Sequence, residues 1–171
     1  MALLPIWRRI ETKLHGVVLV TTLTLVCTSP WIFMGKQLRS NAGFWDVFHV
    51  YGGLFTAIIA LLFAIKVCIK GQWRLFFPWL VADFSQLSAD VSGIVKGRLP
   101  LSGGKGLLSV IEGIGVILLL LVALSGVIWY LADPSDALIW RSYHKLLAQG
   151  FIGFVVIHVL LALLHIRDFF G

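Results

Sequence analysis

The chain has 171 residues, of which 59% are hydrophobic and only 13% charged, with a formal net charge of +6 and a mean hydropathy of +0.96. A water-soluble domain carries roughly a quarter charged residues, and a disordered chain needs low hydrophobicity and high charge; both classes are excluded, and the bilayer is left as the solvent. The fourteen Lys and Arg flank apolar runs and form no stripe, which argues for a membrane-topology signal and against nucleic-acid binding.

In chain order, Met1 to Lys13 carries Trp7, Arg8 and Glu11 without an apolar core, unlike a secretory signal peptide. Apolar runs predict spans over about 14–34, 47–69, 107–131 and 143–166, each close to the ~20 residues a helix needs to cross a ~30 Å hydrocarbon core. Pro30 falls near the end of the first span, where a lost hydrogen bond is tolerable. Cys27 and Cys68 have no metal-ligand or redox spacing and read as small buried hydrophobes. Short polar links follow spans one and three, the latter with the turn signature Asp133-Pro134-Ser135-Asp136. The long link, about 70–106, mixes aromatics with Asp83, Gln86 and Asp90 over Trp73 to Val95, which predicts a short helix lying in the interface. From Gly97 to Gly106, with Pro100 and Gly103-Gly104, the chain reads as an irregular re-entry into span three.

Arg8, Arg9, Lys13, Lys66, Lys70, Arg74, Lys96, Arg98, Lys105 and Arg167 lie on one side, ten in all, against Lys36, Arg39, Arg141 and Lys145 on the other. The positive-inside rule then puts both termini and the long link in the cytoplasm.

All five histidines (His15, His49, His144, His158 and His165) lie in or at the ends of spans. Ionisable groups at membrane depth are functional candidates, although each one alone also fits a hydrogen bond to a neighbouring helix. Their joint arrangement is more specific. His144 and His158 are 14 residues apart, which is ~21 Å along the axis and close to four whole turns, so they share a face. His49 opens span two on the outer side and His15 opens span one on the inner side. The depths pair His49 with His144 and His15 with His158, the helix tilt absorbing a few ångströms for the inner pair. Two imidazole pairs stacked across a bilayer are what two hexacoordinate haems in a four-helix core require.

Gly52 and Gly53, three and four residues after His49, would clear its face for a flat macrocycle. Gly16 adjoins His15, and Gly150 and Gly153 lie between the span-four ligands; helix–helix packing explains such glycines equally well. Arg141 and Lys145, beside His144, are candidate propionate contacts or interfacial anchors. His165 is a candidate proton donor to a bound quinone, a propionate partner or a snorkelling end residue. Glu112, the other ionisable group at membrane depth, would complete a quinone pocket with His165. Span three has no histidine and is expected to wall the bundle without contributing a ligand.

The segment from His144 through Gln149, Gly150, Gly153 and His158 to His165 resembles the last span of prokaryotic diheme cytochromes b561. It equally resembles that of the cytochrome b subunits of formate dehydrogenase (gamma), Ni-Fe hydrogenase and thiosulfate reductase. In that superfamily span one supplies one haem ligand, span two another and span four two, and His15, His49, His144 and His158 occupy those places. Phe48-His49-Val50-Tyr51-Gly52-Gly53 is similar to the dehydrogenase-subunit second-span motif, and Leu124-Ser125-Gly126-Val127-Ile128-Trp129 to its span-three ending. Where that branch has an Asn and a Gln-Lys after its Gly-Lys, this chain has Leu107-Leu108-Ser109.

The resemblance implies one all-α domain over residues 1–171, an integral membrane four-helix bundle of the bacterial inner (cytoplasmic) membrane. It implies two non-covalent b-type haems, a periplasmic oxidoreductase subunit or cytochrome as partner, and quinone on the inner side. No Cys-x-x-Cys-His, flavin or nucleotide fingerprint is present, so dehydrogenase chemistry would reside in the partner and no catalytic residue is assigned here. A second reading is a stand-alone oxidoreductase that passes electrons from superoxide or another small reductant to quinone, with Lys36, Arg39, Arg141 and Lys145 as a cationic entrance. A metal-ion transporter is disfavoured, because pairs ~21 Å apart along a helix cannot share one ion.

Overall fold

The computed structural model describes residues 3–69, 73–98, 100 and 105–170, and side-chain surroundings over the part of these within 13–164. Regular structure among them is entirely helical. The helices are α1 (Leu3–Thr28), α2 (Phe44–Cys68), α3 (Trp73–Phe76), α4 (Ser85–Val95), α5 (Leu107–Leu131) and α6 (Ala137–Phe170), with 3-10 turns at Ser29–Trp31 and Pro78–Val81. Among the described residues four stretches are long and apolar enough to cross a membrane: Lys13–Trp31, Phe44–Cys68, Leu107–Leu131 and Ala137–Leu164.

The helices depart from the apolar spans at their polar ends. α1 starts eleven residues before the expected span, through Arg8, Arg9 and Glu11, and stops at Thr28, where Pro30 supplies no amide and tightens the last turn into a 3-10 turn. α6 starts six residues early, directly after the Asp133–Asp136 turn, whose Asp133 carbonyl accepts the amides of Asp136 and Ala137 at 3.0 Å each. The interfacial link is broken into pieces, not one helix. Pro78 interrupts the amide ladder after Phe76, and Ala82 adopts a left-handed conformation (φ 53°) that ends the 3-10 turn before α4. Of the expected re-entry, Gly97 carries a left-handed φ of 73°, and Gly103-Gly104 lie outside the described residues. Cys27 and Cys68 are free and exposed, not buried: where hydrocarbon is the solvent, a small apolar side chain gains little by turning inward.

Two compact units make up the chain, Met1–Lys66 with Leu119–Gln149, and Val67–Leu118 with Gly150–Gly171. In the first, Met34, Val50, Trp129 and Ala137 form a buried cluster backed by Ile32, Leu38, Leu54 and Trp140. Polar bonds fix the segment after α1 to this cluster. The buried Asp46 carboxylate, in the first turn of α2, accepts the amides of Phe33 (2.8 Å) and Met34 (3.0 Å). The Trp129 indole donates to the Lys36 carbonyl at 3.2 Å. Trp31, Phe44, Trp45 and Phe48 pack against one another and stay exposed at this end of α2, as an aromatic girdle at a headgroup boundary does. Along α1 the hydroxyls of Thr21, Thr22, Thr24 and Thr28 bond back to carbonyls three or four residues earlier, so none needs water inside an apolar span.

In the second unit the buried Asp90 of α4 turns its carboxylate onto the first amide of α5, Leu107 N–H, at 2.9 Å. Lys105 pairs with Asp83 at 2.8 Å, and Ser85 donates to the same carboxylate at 2.8 Å. These two donors, Lys105 first, hold the Asp83 carboxyl below the usual carboxylate range. Phe154 of α6 lies against Gly115 of α5, where any side chain would collide with its ring.

Candidate functional site

The first unit brings two of the five histidines together. His49 stands five residues into α2 and His144 seven residues into α6, that is one to two turns from the helix starts. Their ring centroids are 6.4 Å apart with the planes at 85°. Two imidazoles that each give one nitrogen to the same metal, with bonds of about 2 Å, hold their centroids roughly 6 Å apart. The observed spacing would admit a shared metal, and it exceeds what a direct hydrogen bond between the rings would set.

The two rings are held differently. His49 is half-buried, and its Nδ1 is enclosed without a hydrogen-bond partner. An enclosed polar atom left unpaired costs on the order of 1–3 kcal/mol, a cost that a group bound at that nitrogen would relieve. His144 Nδ1 lies 3.1 Å from the Val122 carbonyl and 3.2 Å from Ser125 Oγ, both on α5. A carbonyl only accepts, so Nδ1 carries the proton and the Nε2 lone pair is left for a ligand-binding role. Gly126 permits this approach: a Cβ there would stand 3.1 Å from His144 Cε1 and 3.3 Å from Nδ1. Trp129 completes the surroundings with its ring 5.8 Å from His144.

No cluster of three or more His, Cys, Asp or Glu able to hold a metal ion occurs among the described residues. A facing pair of imidazoles fits a metal that arrives with its other ligands already supplied, as haem iron does with its macrocycle. The fit extends to Gly53, one turn after His49, where an added Cβ would meet nothing within 4 Å. Gly52 follows the packing reading of the two, since a Cβ there would meet Leu25 of α1 at 3.3 Å. Gly150 likewise packs against Leu118. Gly153 opens on free space but lies nine residues from His144, half a turn round the helix, and so on the opposite face.

The remaining candidates fall into separate surroundings. His15 belongs to the first unit, is exposed, and sits 5.9 Å from the Phe63 ring of α2. His158 belongs to the second unit, is half-buried, and stacks on Phe154 one turn earlier at 5.4 Å and 28°. Glu112 is half-buried on α5, Arg141 half-buried and Lys145 exposed on α6. The side chain of His165 lies outside the described residues. The sequence alone gave Ser125, Gly126 and the Val122 carbonyl no role at the site, because a backbone acceptor leaves no mark in residue type.

The model of one family, prokaryotic cytochrome b561, matches residues 6–167. No curated protein and no solved structure gives a match. The matched region spans all four apolar helices and all five histidines, and a facing pair of imidazoles, as His49 and His144 form, is a donor set that a b-type haem can take. The chain therefore belongs to the prokaryotic cytochrome b561 family, membrane proteins that bind b-type haem and transfer electrons.

Proposed function

We propose that this chain is a diheme cytochrome b of the bacterial inner membrane that relays electrons between a periplasmic redox partner and the quinone pool. The observation that carries the reading is the His49–His144 pair, two imidazoles from two membrane-crossing helices at a separation suited to one metal. His49 and His144 hold the outer haem in this reading, and His15 and His158 the inner one. Each haem supplies a one-electron iron couple when bound.

The chain's own residues do the rest. The Val122 carbonyl fixes the proton on His144 Nδ1, and the apolar faces of the spans keep water from the ligands. Arg141 and Lys145, three residues before His144 and one after it, supply positive charge for the outer propionates. Glu112 and His165 offer proton-exchanging groups to a quinone on the inner side. The excess of Lys and Arg in the link and at the termini supports a cytoplasmic placement of both.

Haem content of the detergent-purified protein, measured as pyridine haemochrome, tests the proposal. The expected result is two b haems per chain with low-spin reduced-minus-oxidised bands. His49→Ala and His144→Ala should each leave one haem, and the double variant should also leave one, because both single changes empty the same site. His15→Ala combined with His144→Ala should leave none. A haem-free protein made under adequate haem supply overturns the reading. A chain that purifies from native membranes without any redox subunit and still reduces quinone with a small reductant overturns the partner clause alone.

A further inference from the structure

We propose that Ser125 is a positioning residue for His144: with the Val122 carbonyl it forms a two-point acceptor on α5 that orients the imidazole and sets its strength as an iron ligand. The inference rests on the proposed ligation by His144 and names a residue of the one span that carries no histidine.

Three contacts define the device. Ser125 Oγ donates its own hydrogen to the Val122 carbonyl, one turn earlier on the same helix, at 2.9 Å. The hydroxyl lone pairs are thereby left facing His144 Nδ1 at 3.2 Å, while the Val122 carbonyl faces the same nitrogen at 3.1 Å. One N–H is thus shared between two acceptors, and both oppose the tautomer that would place a lone pair at Nδ1. Ser125 is 3% exposed, so no solvent competes for its hydroxyl and the direction of that hydroxyl is fixed by the carbonyl. Gly126 leaves the space that this approach needs.

Acceptors on the distal nitrogen draw the imidazole toward imidazolate character and make the metal-facing nitrogen a stronger donor. A stronger donor favours the oxidised iron. Ser125 should therefore hold the potential of the outer haem below the value that the carbonyl alone would set. A pair of acceptors also defines the ring plane, which a single carbonyl does less tightly.

Optical redox titration of the membrane-embedded holoprotein, with low-temperature EPR of the oxidised form, tests this on Ser125→Ala and Ser125→Cys. Ser125→Ala should keep two haems per chain, raise one of the two midpoint potentials and broaden or move one low-spin signal, with the other haem unchanged. Ser125→Cys fills the space with a weak acceptor and should fall between serine and alanine; a purely space-filling role predicts that it matches serine. Unchanged potentials and signals in Ser125→Ala, in a protein that does lose one haem with His144→Ala, overturn the inference and leave the ligation standing. If His144→Ala keeps both haems, the ligation fails and the inference fails with it. If Ser125→Ala cannot be purified, an unshifted Ser125→Cys overturns the inference and an upward shift supports it.

Discussion

Gly126 shows how much the site depends on a missing side chain. In an ordinary helix interior, alanine is favoured over glycine by about 1 kcal/mol, so on helix propensity alone Gly126→Ala should stabilise α5. The added methyl, however, would stand 3.1 Å from the His144 ring, closer than most real contacts of that kind, and the ring would have to retreat by a few tenths of an ångström. That retreat lengthens both bonds to Nδ1, already at 3.1 and 3.2 Å, toward the limit of useful hydrogen bonding. Loss of such supporting contacts around a metal ligand typically costs roughly 10–100-fold in metal affinity. Gly126→Ala should therefore fold at least as well as the parent yet retain one of the two proposed haems about tenfold more weakly. Haem-to-protein ratio after extended size-exclusion chromatography measures this, and full retention of both would show that the ring has room to spare.

The start of α5 is set from outside the helix. A helix leaves its first amides unpaired, and here the Leu107 amide is taken by Asp90, from α4 and 17 residues earlier in sequence. A side chain at Gly106 would displace the Asp90 carboxylate from this position. Removing such a cap costs about 1 kcal/mol, and the carboxylate at the positive end of the helix dipole adds a few tenths. Asp90→Ala should lower the thermal midpoint of the detergent-solubilised holoprotein by about 2–4 °C, the shift expected for a chain of this length. Asp90→Asn keeps an acceptor and should lose less. Equal losses for the two would place the contribution in charge, and no loss would remove Asp90 from the capping role.

The same elements show what could be read from sequence. α5 falls where expected because its apolar run is bounded sharply, by Gly106 on one side and the Asp133–Asp136 turn on the other. α1 and α6 run past their apolar runs because hydropathy marks only the part of a helix that meets hydrocarbon, and backbone hydrogen bonds continue through Arg8, Arg9 and Glu11 or through Trp140 and Arg141. The His49–His144 pairing was legible, since depth in a span follows from counting residues. The acceptors behind His144 were not, because a backbone carbonyl has no residue type, and Ser125 in an apolar span looks like any hydroxyl bonding back to its own helix.

The proposed relay has a direction in space only if the spans are oriented. Opposing contributions must be weighed: Lys and Arg on the two sides number ten and four, and each basic residue near the cytoplasmic surface gains about 1 kcal/mol from anionic headgroups. A difference of six outweighs local effects, such as the pairing of Lys105 with Asp83, that remove single charges from the count. In α4 and its flanks, Lys96 and Arg98 remain exposed and available to the headgroups. Impermeant maleimide labelling checks the orientation, using single-cysteine variants in a background with Cys27 and Cys68 replaced by alanine. Ser40→Cys and Ser135→Cys, in exposed turns, should label in intact spheroplasts. Ser92→Cys, exposed on α4, should label only after the membrane is opened. The reverse pattern would turn the chain over and put the His49–His144 haem on the cytoplasmic side. An electron donor at that haem would then have to be cytoplasmic, and the proposed periplasmic partner would fall even though every haem ligand stood.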